Sequence, residues 1–290
     1  MEDKKQEVNQ EVNQEVNNSD VKVKNITDSS ISKQKHVVEM PDNGKRIDIE
    51  KDCYFGPKNK FSAFWVKLCY KIGIGILYVY CKAFMGLKVV GRENFKAVSK
   101  SEKGLISVSN HMHVMDTPLV AVSLRPYFMQ FTSIESNFAI PVAGNILSFF
   151  GTIPMPSDAT KMRYVFAFIS KALSEGKRIH FFPEGVLLPY DTNVRTFNKG
   201  AFMLAEKADC PIVPIVFTQR KAKGVFKYLK KYRCSFTAHI LPVQYVNRDL
   251  PKRDAVKELT DRVKNMMAET IEKYDEKVVQ KDYSEFENQI

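Results

Sequence analysis

Segments with a strand pattern and segments with a helix pattern alternate along the chain from Leu87 onward. Such alternation is typical of an α/β domain, in which helices flank a mixed, largely parallel sheet. Short apolar and β-branched runs predict strands at Leu87–Val90, Leu105–Ser109, Tyr127–Thr132, Arg178–Phe182, Ile212–Phe217 and Ser235–Leu241. Apolar residues at helical spacing predict helices at Lys161–Glu175, Phe197–Ala208 and Arg253–Tyr274. We interpret the apolar stripe of the last helix as core rather than as a cofactor site.

The segment from Phe61 to Met85 is rich in aromatic and aliphatic side chains, but lysines interrupt it. Its uninterrupted apolar piece, Ile72–Cys81, has ten residues. That is about half of the roughly 20 residues that a spanning helix needs. We therefore predict a monotopic helical element in the membrane interface, with its lysines reaching the headgroups. A buried core helix with basic edge residues is the alternative, and the length argues against a transmembrane span.

The pattern divides the chain into four parts. We predict a disordered polar tail over 1–52, a membrane-interfacial segment over 53–86, an α/β domain over 87–278 and a short C-terminal tail over 279–290. The polar and acidic start gives no secretory signal. Five cysteines without metal-ligand spacing indicate reduced thiols in a cytosolic setting.

Positive charge is concentrated in the middle of the chain. Residues 53–250 hold 27 basic and 11 acidic side chains, whereas the whole chain has a net charge of +11. The middle region therefore predicts an anionic partner, and nucleic acid, an anionic membrane or a phosphorylated substrate would each qualify. A basic stretch with interleaved aromatic residues lies at Arg220, Lys221, Lys223, Lys227, Lys230, Lys231 and Arg233.

The first candidate for chemistry directly follows the predicted strand Leu105–Ser109, where His111 precedes Asp116 by five residues. Strand ends deliver side chains to ligand crevices in α/β folds. Positions five apart diverge by about 140° on a regular helix, so the two side chains can meet only across a turn. The dipeptide Thr117-Pro118 favours a helix that begins just after Asp116. His113 is an alternative partner for the carboxylate on local spacing.

The second candidate is the run Phe182-Pro183-Glu184-Gly185, at the end of the strand Arg178–Phe182. A glycine there lets the backbone approach a ligand closely, and the carboxylate would face the same crevice as the histidine. A turn that merely closes the strand is the alternative interpretation.

Together these residues resemble the lysophospholipid acyltransferase family, which contains the 1-acylglycerol-3-phosphate acyltransferases. The family's Asn-His-x4-Asp motif is matched by Asn110, His111 and Asp116, and its Phe-Pro-Glu-Gly motif by Phe182 to Gly185. Further matches follow in the family's order at Gly151-Thr152-Ile153, Phe197-Asn198-Lys199-Gly200-Ala201 and Val213-Pro214-Ile215-Val216. The resemblance covers roughly Leu87 to Leu241.

The resemblance implies a glycerol-3-phosphate acyltransferase-like fold and transfer of a fatty acyl chain to a lysophospholipid hydroxyl. It implies His111 as the general base and Asp116 as the residue that orients it. Acyl-CoA or acyl-carrier protein would be the co-substrate, and no cofactor or metal is expected. The residues assigned to substrate binding are Asn110, Gly151, Phe182, Pro183, Glu184, Gly185, Arg195 and Lys199.

Two arginines that the family usually carries are missing from this chain. Pro154-Met155-Pro156-Ser157 follows the glycine motif, and Val186-Leu187-Leu188 follows Gly185. Both arginines would be expected to hold an acceptor phosphate. Arg195 and Arg163 are candidate substitutes, or else solvated surface charges.

We therefore expect an enzyme of phospholipid biosynthesis, peripheral or monotopic on the cytoplasmic face of a membrane. Lysophosphatidate is the default acceptor, an anionic membrane surface is the expected partner, and no nucleic acid is expected. One alternative is the same fold acting on glycerol 3-phosphate, another lysolipid or an aminolipid. The other is a non-catalytic module that binds lipid or nucleic acid.

Overall fold

The computed structural model describes residues 59–99, 104–224, 226–229 and 234–279. The predicted tail over 1–52, the first residues of the interfacial segment and nearly all of the C-terminal tail lie outside the described residues. So do Cys53, Lys230, Lys231 and Arg233.

The described residues form the following elements. The strands are β1 (Lys88–Val90), β2 (Leu105–Ser109), β3 (Gln130–Ile134), β4 (Ile153–Met155), β5 (Arg178–Phe181), β6 (Ile212–Lys221) and β7 (Cys234–Ile240). The helices are α1 (Lys60–Ala83), α2 (Arg92–Ser99), α3 (Asp116–Ser123), α4 (Ala143–Phe149), α5 (Ala159–Ser174), α6 (Gly200–Ala208), α7 (Phe226–Leu229) and α8 (Lys252–Tyr274). A 3₁₀ helix over Glu135–Ala139 joins β3 to α4.

The strands form one sheet in the order β1-β7-β6-β2-β5-β3-β4. β6 and β7 pair antiparallel, and every other neighbouring pair is parallel. This confirms the predicted mixed, largely parallel α/β architecture. β2 lies in mid-sheet with all of its residues buried, as expected for a strand that is covered on both faces.

The third strand begins later than the sequence predicts, because the residues before it pack elsewhere. Tyr127 and Phe128 contact α1, where the Tyr70 hydroxyl donates to the Tyr127 carbonyl at 3.0 Å. The rings of Tyr70 and Phe128 lie 4.8 Å apart. β4 was not predicted as a strand, because its three residues are too few to show alternation.

The two faces of the sheet carry separate hydrophobic cores. Helices α5, α6 and α8 cover one face, and α1, α2 and α3 cover the other. β6 connects both cores, since Ile212 and Val216 enter the first and Val213 and Phe217 enter the second. This is the period-2 alternation of a strand. The apolar stripe of α8 is buried in the first core, as predicted.

Helix α1 is longer than the apolar piece from which its membrane role was predicted. Its 24 residues span about 36 Å at 1.5 Å per residue. By length and composition it is able to cross a membrane, so the expectation that this segment is too short was wrong. The helix is also not a buried core helix, since only Val66, Tyr70 and Cys81 are buried on it.

Three different faces run along α1. The buried residues form the first, which packs against α3 and the residues before β3. The opposite face exposes Phe61, Phe64, Trp65, Ile72, Ile76 and Val79. At 100° per residue the lysines fall within one stripe about 60° wide between these two faces. That stripe consists of Lys60, Lys67, Lys71 and Lys82.

The tight approach of β1 and β7 predicts different responses of two glycines to substitution by alanine. Gly91 has a φ of +78°, and a Cβ there would lie 2.1 Å from the Ile240 carbonyl oxygen. We expect Gly91→Ala to lower the free energy of unfolding by about 1–3 kcal/mol. Gly75→Ala is the control, because nothing lies within 4 Å of its position in α1. It should raise that free energy by about 0.5–1 kcal/mol. Urea unfolding measures both, and equal effects would contradict the described packing.

Candidate functional site

The ends of two neighbouring parallel strands bring the two motif segments together. Val108 of β2 pairs with Phe181 of β5. Because the two strands are parallel, the segments that follow them leave the sheet at the same carboxyl-terminal edge. The segment that contains His111 therefore emerges beside the segment that contains Glu184. In α/β sheets this carboxyl edge is the usual place for ligands.

The turn after β2 is built around one carboxylate oxygen. Asp116 Oδ2 accepts hydrogen bonds from His111 Nδ1 at 2.8 Å, the Met112 amide at 2.7 Å and the His113 amide at 2.8 Å. The structure therefore pairs His111 with Asp116 across a turn, as their spacing predicts. The helix begins at Asp116 itself, with Met115 as its N-cap, one residue earlier than predicted.

This pairing determines which nitrogen of His111 is available for chemistry. A carboxylate can only accept hydrogen bonds, so the Nδ1 atom that faces Asp116 carries the proton. The Nε2 atom of the neutral ring then keeps its lone pair. Phe182 stacks on the ring with centroids 4.1 Å apart and limits its rotation. The His111 side chain is 22% exposed, so a substrate can reach it.

His113 does not compete for the Asp116 carboxylate through its ring. Its Nδ1 accepts a hydrogen bond from the Met115 amide at 3.0 Å, and the Tyr190 hydroxyl lies 3.5 Å from its Nε2. Burial lowers the pKa of His113, against a raising effect of the Asp116 charge. The ring is packed between Tyr190 and Phe236. Of the two histidines, His111 is therefore the one whose ring pairs with the carboxylate.

The turn after β5 is held by its own backbone. Gly185 has a φ of 72°, a conformation that favours glycine, and its amide donates to the Phe182 carbonyl at 3.1 Å. The Pro183 carbonyl accepts from the Asn198 amide at 2.8 Å, which joins this turn to the start of α6. Glu184 is thereby fixed as a buried side chain at the strand edge.

An arginine from the following loop completes this turn. Arg195 donates to Glu184 Oε2, and it also donates to the Val186 carbonyl at 2.6 Å. Its guanidinium lies 3.4 Å from both the His111 carbonyl and Asp191 Oδ2. Arg195, one of the two candidate substitutes for the missing arginines, therefore links both motif segments.

Glu184 is balanced between its two protonation states. Burial raises the pKa of Glu184 to about 7, which outweighs the lowering effect of Arg195. Within the described part of the chain, its Oε1 atom is buried without a hydrogen-bond partner. Near neutral pH this carboxyl group can therefore either donate or accept a hydrogen bond.

Two residues assigned to substrate binding have other contacts. Both ends of the Asn110 amide bond to the backbone of Phe217, at 2.9 and 3.0 Å, so this side chain joins β2 to β6. Gly151 comes before β4, at the amino end of that strand. His111 and Glu184 follow the carboxyl ends of strands that run parallel to β4. Gly151 is therefore at the opposite end of the strands from these two residues. The Gly151 carbonyl accepts from Gln130 Nε2 at 3.0 Å.

Two further basic residues lie on the helices that cover the sheet. Lys199 is exposed at the start of α6. A hydrogen bond from Lys257 lowers the pKa of Asp261 on α8, and Lys199 adds to that effect from nearby. Arg163 is exposed on α5. Neither therefore has the position of Arg195 between the two motif segments.

The predicted basic stretch is divided between the fold and the surface. Arg220 donates to the Gly86 carbonyl and to Thr237 Oγ1, so it ties β6 to β7 and to the end of α1. Lys221, Lys223 and Lys227 are exposed. The described part of this stretch therefore presents three positive charges to solvent.

His180 on β5 belongs to the site, although it was not singled out in the sequence. Its ring is fully buried, with Ser107 Oγ at 2.8 Å from Nδ1 and Ser109 Oγ at 3.2 Å from Nε2. Burial, with a smaller contribution from His111, lowers the pKa of His180 to about 3, so it is neutral. Its ring contacts Phe182 at 4.7 Å. Two serines on the same side of an otherwise apolar strand were the available signal.

A hollow of about 620 Å³ lies along the exposed face of α8, lined in part by Asp254, Asp261 and Glu269. A second, much smaller one lies beside Phe95 and Leu124. Neither includes His111, whose ring opens at the carboxyl edge of the sheet.

Residues 86–218 match the model of a protein family described as Acyltransferase. This range includes both motif segments, with His111, Asp116, Glu184 and Arg195.

The chain is similar to three proteins named 1-acyl-sn-glycerol-3-phosphate acyltransferase. It is 27% identical over 202 residues to that of Saccharomyces cerevisiae, covering 67% of this chain and 63% of that protein. For the protein of Chlamydomonas reinhardtii the identity is 32% over 133 residues, covering 46% and 38%. For LPAT1, chloroplastic, of Arabidopsis thaliana it is 31% over 159 residues, covering 54% and 41%. The chain thus spans between 38% and 63% of the length of these relatives.

Among solved structures, the chain is similar to the crystal structure of the 1-acyl-sn-glycerophosphate acyltransferase PlsC from Thermotoga maritima. The TM-score is 0.47 and the identity 18%, covering 72% of this chain and 88% of that chain.

The raised pKa of Glu184 predicts a pH dependence of stability. Because its pKa in the folded protein is about 7 against an ordinary 4.5, the folded state holds this proton more tightly than the unfolded state. The stabilisation that comes from protonated Glu184 is therefore fully present below about pH 4.5 and is lost as the pH rises through 7. Glu184→Gln cannot ionise but still accepts from Arg195. Between about pH 5 and pH 8 the wild type should lose on the order of 2 kcal/mol more unfolding free energy than this variant. Urea unfolding at both pH values checks this, and parallel profiles would contradict it.

Proposed function

We propose that this chain, whose residues 86–218 match the model of the Acyltransferase family, transfers a fatty acyl group from an acyl thioester to the free hydroxyl of a lysophospholipid. The default acceptor is 1-acylglycerol-3-phosphate, the acceptor in the names of the relatives from yeast, alga and plant. The product is then phosphatidic acid. The observation that carries the proposal is the hydrogen-bonded pair of His111 and Asp116 beside Glu184 at one strand edge.

The donor is acyl-CoA or acyl-carrier protein, either of which brings an activated thioester. Transfer to an alcohol then needs a base for the hydroxyl proton and stabilisation of the oxyanion. His111 Nε2 takes the proton while the hydroxyl oxygen attacks the thioester carbonyl. As the carbon–sulfur bond breaks, the imidazolium returns the proton to the thiolate. One ester forms, one thioester is lost, and the neutral histidine is restored.

Asp116 supports His111 before and after the proton is taken. In the neutral ring it holds the hydrogen of Nδ1, and in the charged ring its negative charge stabilises the imidazolium. Phe182 restricts rotation of the ring by stacking. Asn110 acts as a positioning residue, since it anchors the start of this loop to Phe217.

Glu184 and Arg195 are the groups that we assign to the acceptor. The unpartnered Oε1 atom of Glu184 is suited to a hydrogen bond with an acceptor hydroxyl. Arg195 places a guanidinium between the two motif segments, where it can share its donors between Glu184 and a phosphate. This arrangement assigns to Arg195 the role of the arginines that the sequence lacks.

We further propose that the enzyme is monotopic on the cytoplasmic face of a membrane, with α1 in the plane of the interface. Two observations support this orientation over a spanning one. One face of α1 packs along the domain, and a spanning orientation would bury Lys67 and Lys71 in the hydrocarbon layer. The lysine stripe suits anionic headgroups, so nucleic acid is not needed to account for the positive charge.

The two histidines after β2 are expected to respond differently to replacement. His111→Ala should lower kcat for acyl transfer from acyl-CoA to lysophosphatidate by about 10²–10⁴-fold, the usual contribution of a general base. His113→Ala should retain most activity, because its ring does not contact the Asp116 carboxylate. Thermal unfolding of both variants serves as the folding control. Survival of His111→Ala with loss in His113→Ala would reverse the assignment of the base.

Arg195 is expected to affect phosphate-bearing acceptors selectively. Arg195→Lys keeps the charge and can still donate to Glu184, but it cannot also hold a phosphate in a forked geometry. We expect the KM for lysophosphatidate to rise about tenfold, with little change for monoacylglycerol, which carries no phosphate. The assay is run with acyl-CoA and with acyl-carrier protein to identify the donor. Wild-type activity only on acceptors without phosphate would refute the default acceptor.

A further inference from the structure

β6 extends beyond the end of the strand that it pairs with in the middle of the sheet. β2 pairs with β6 as far as Ser109, opposite Ile215, and the chain then turns into the segment that contains His111. β6 continues to Lys221. Every second residue of a strand presents its amide and carbonyl to the same side. On the side that β2 leaves, these backbone groups of β6 need other partners.

The partners come first from the site turn and then from the segment that follows α8. The amide and carbonyl of Phe217 bond to the Asn110 side chain. Two residues later, the Gln219 amide donates to Asp275 Oδ1 at 2.5 Å, and the Gln219 carbonyl accepts from the Glu276 amide at 3.0 Å. The segment after α8 therefore closes the side of β6 that β2 leaves where the site begins.

We call residues 275–279 the strap. Its contacts with β6 continue beyond Gln219, since the Lys221 amide donates to Glu276 Oε2 at 2.7 Å. The Val279 amide donates to Gln219 Oε1 at 2.7 Å, and Gln219 Nε2 donates back to the Val279 carbonyl at 3.1 Å. Val279 also packs against the core on the α1 side of the sheet. The strap is thus fixed to β6 at both of its ends.

The strap also holds the long loop between β5 and α6. Thr192 Oγ1 in this loop is buried and donates to Asp275 Oδ2 at 2.6 Å. Gln219 Nε2, which contacts the strap, donates to the Tyr190 carbonyl at 2.7 Å. On its other side, the Tyr190 amide donates to the Met112 carbonyl in the turn after β2, at 2.6 Å. The loop is therefore held between the strap and the site turn.

The same loop carries the arginine that joins the two motif segments. Tyr190 has a φ of 69°, which is unfavourable for a bulky residue and persists only where the surroundings enforce it. Its amide and carbonyl bonds supply that constraint. Arg195 follows five residues later and contacts the loop again at Asp191, whose Oδ2 lies 3.4 Å from Arg195 Nη1. Loss of the strap contacts would therefore free the loop from which Arg195 extends.

We propose that the strap positions Arg195 for the acceptor phosphate, with Asp275 as the positioning residue. One carboxylate fastens β6 through Oδ1 and the loop through Oδ2. Asp275 lies beyond residues 86–218, the range that matches the family model. It acts through Thr192 and the loop rather than on the substrate. The assignment deepens the proposed function and rests on it, because Arg195 is assigned to the acceptor there.

Hydrogen exchange of the Tyr190 amide tests the strap without any acyl transfer. Asp275→Ala removes the oxygen atoms that hold β6 and the loop together. We expect the Tyr190 amide of this variant to exchange about tenfold faster than in the wild type, while the amides of α5 keep their rates. Asp261→Ala is the matched control, because Asp261 pairs with Lys257 on the exposed side of α8. It should leave Tyr190 exchange unchanged.

Steady-state kinetics test the consequence for the acceptor. Asp275→Ala should raise the KM for lysophosphatidate about five- to tenfold, with kcat changed by less than about twofold. The KM for monoacylglycerol, which carries no phosphate, should stay as in the wild type. Because the strap acts through Arg195, the double variant with Arg195→Lys should raise KM by less than the product of the two separate effects. Equal loss of kcat on both acceptors would show destabilisation alone and would overturn the positioning role.

Asp275→Asn separates the contacts from the charge. Its oxygen still accepts from the Gln219 amide, and its NH₂ group can donate to the Thr192 hydroxyl, which then accepts. We expect exchange and KM within about twofold of the wild type. An effect as large as that of Asp275→Ala would overturn the assignment.

Thr192→Val replaces Asp275→Ala if that variant fails to fold. Valine has a similar shape but no hydroxyl, so the change removes the single bond between the loop and Asp275 Oδ2. Both the exchange rate of Tyr190 and the KM for lysophosphatidate should rise about threefold. Wild-type values for both would overturn the proposal.

The two readouts distinguish failure of the strap from failure of the proposed function. If Asp275→Ala leaves Tyr190 exchange unchanged, the strap does not hold the loop and the inference is overturned, whatever the kinetics. If exchange rises but the KM of an active enzyme does not, the positioning of Arg195 is overturned and the proposed function stands. If the wild type transfers no acyl group, the proposed function fails and the role toward the acceptor fails with it.

Discussion

One oxygen atom of a buried carboxylate organises the functional edge of this protein. Asp116 Oδ2 accepts three hydrogen bonds, two from backbone amides and one from the His111 ring. Burial of an ionised carboxylate is unfavourable unless such donors surround it. The amides therefore keep the carboxylate in place whether or not the imidazole is charged. The same three contacts fold the turn, orient the ring and leave its outer nitrogen available, so local structure and proposed chemistry depend on one interaction.

The sheet supplies the second part of the site. β2 and β5 are parallel neighbours, and their carboxyl ends bring a histidine and a glutamate from distant parts of the sequence to one place. Phe182 links them physically, since it follows β5 and stacks on the ring that follows β2. Beneath it, neutral His180 is held by two serine hydroxyls and supports Phe182 from the core. The site thus rests on a rigid, fully packed strand pair rather than on loops alone.

Local patterns in the sequence were sufficient for much of this arrangement. The strands, the turn between His111 and Asp116 and the position of Glu184 at a strand end each depend on residues close together in the chain. The contacts that could not be predicted join residues that no helical or strand periodicity relates. The side-chain amide of Asn110 hydrogen-bonds to the backbone of Phe217, more than a hundred residues later. Arg195 donates to Glu184 from a loop without regular structure. The length of α1 was missed because lysines on one stripe interrupt the apolar run in sequence but not on the helix surface.

Asp116 holds the neutral His111 ring with its proton on Nδ1 and a lone pair on Nε2. Nitrogen-15 NMR of the His111 ring in the full chain, at a pH where the imidazole is neutral, tests this most directly. We expect a protonated-type resonance for Nδ1 and an unprotonated-type resonance for Nε2, with loss of this preference in Asp116→Ala. A proton on Nε2 of the wild-type ring, or a mixture of both forms that Asp116→Ala leaves unchanged, would show that Asp116 does not set the protonation of the ring.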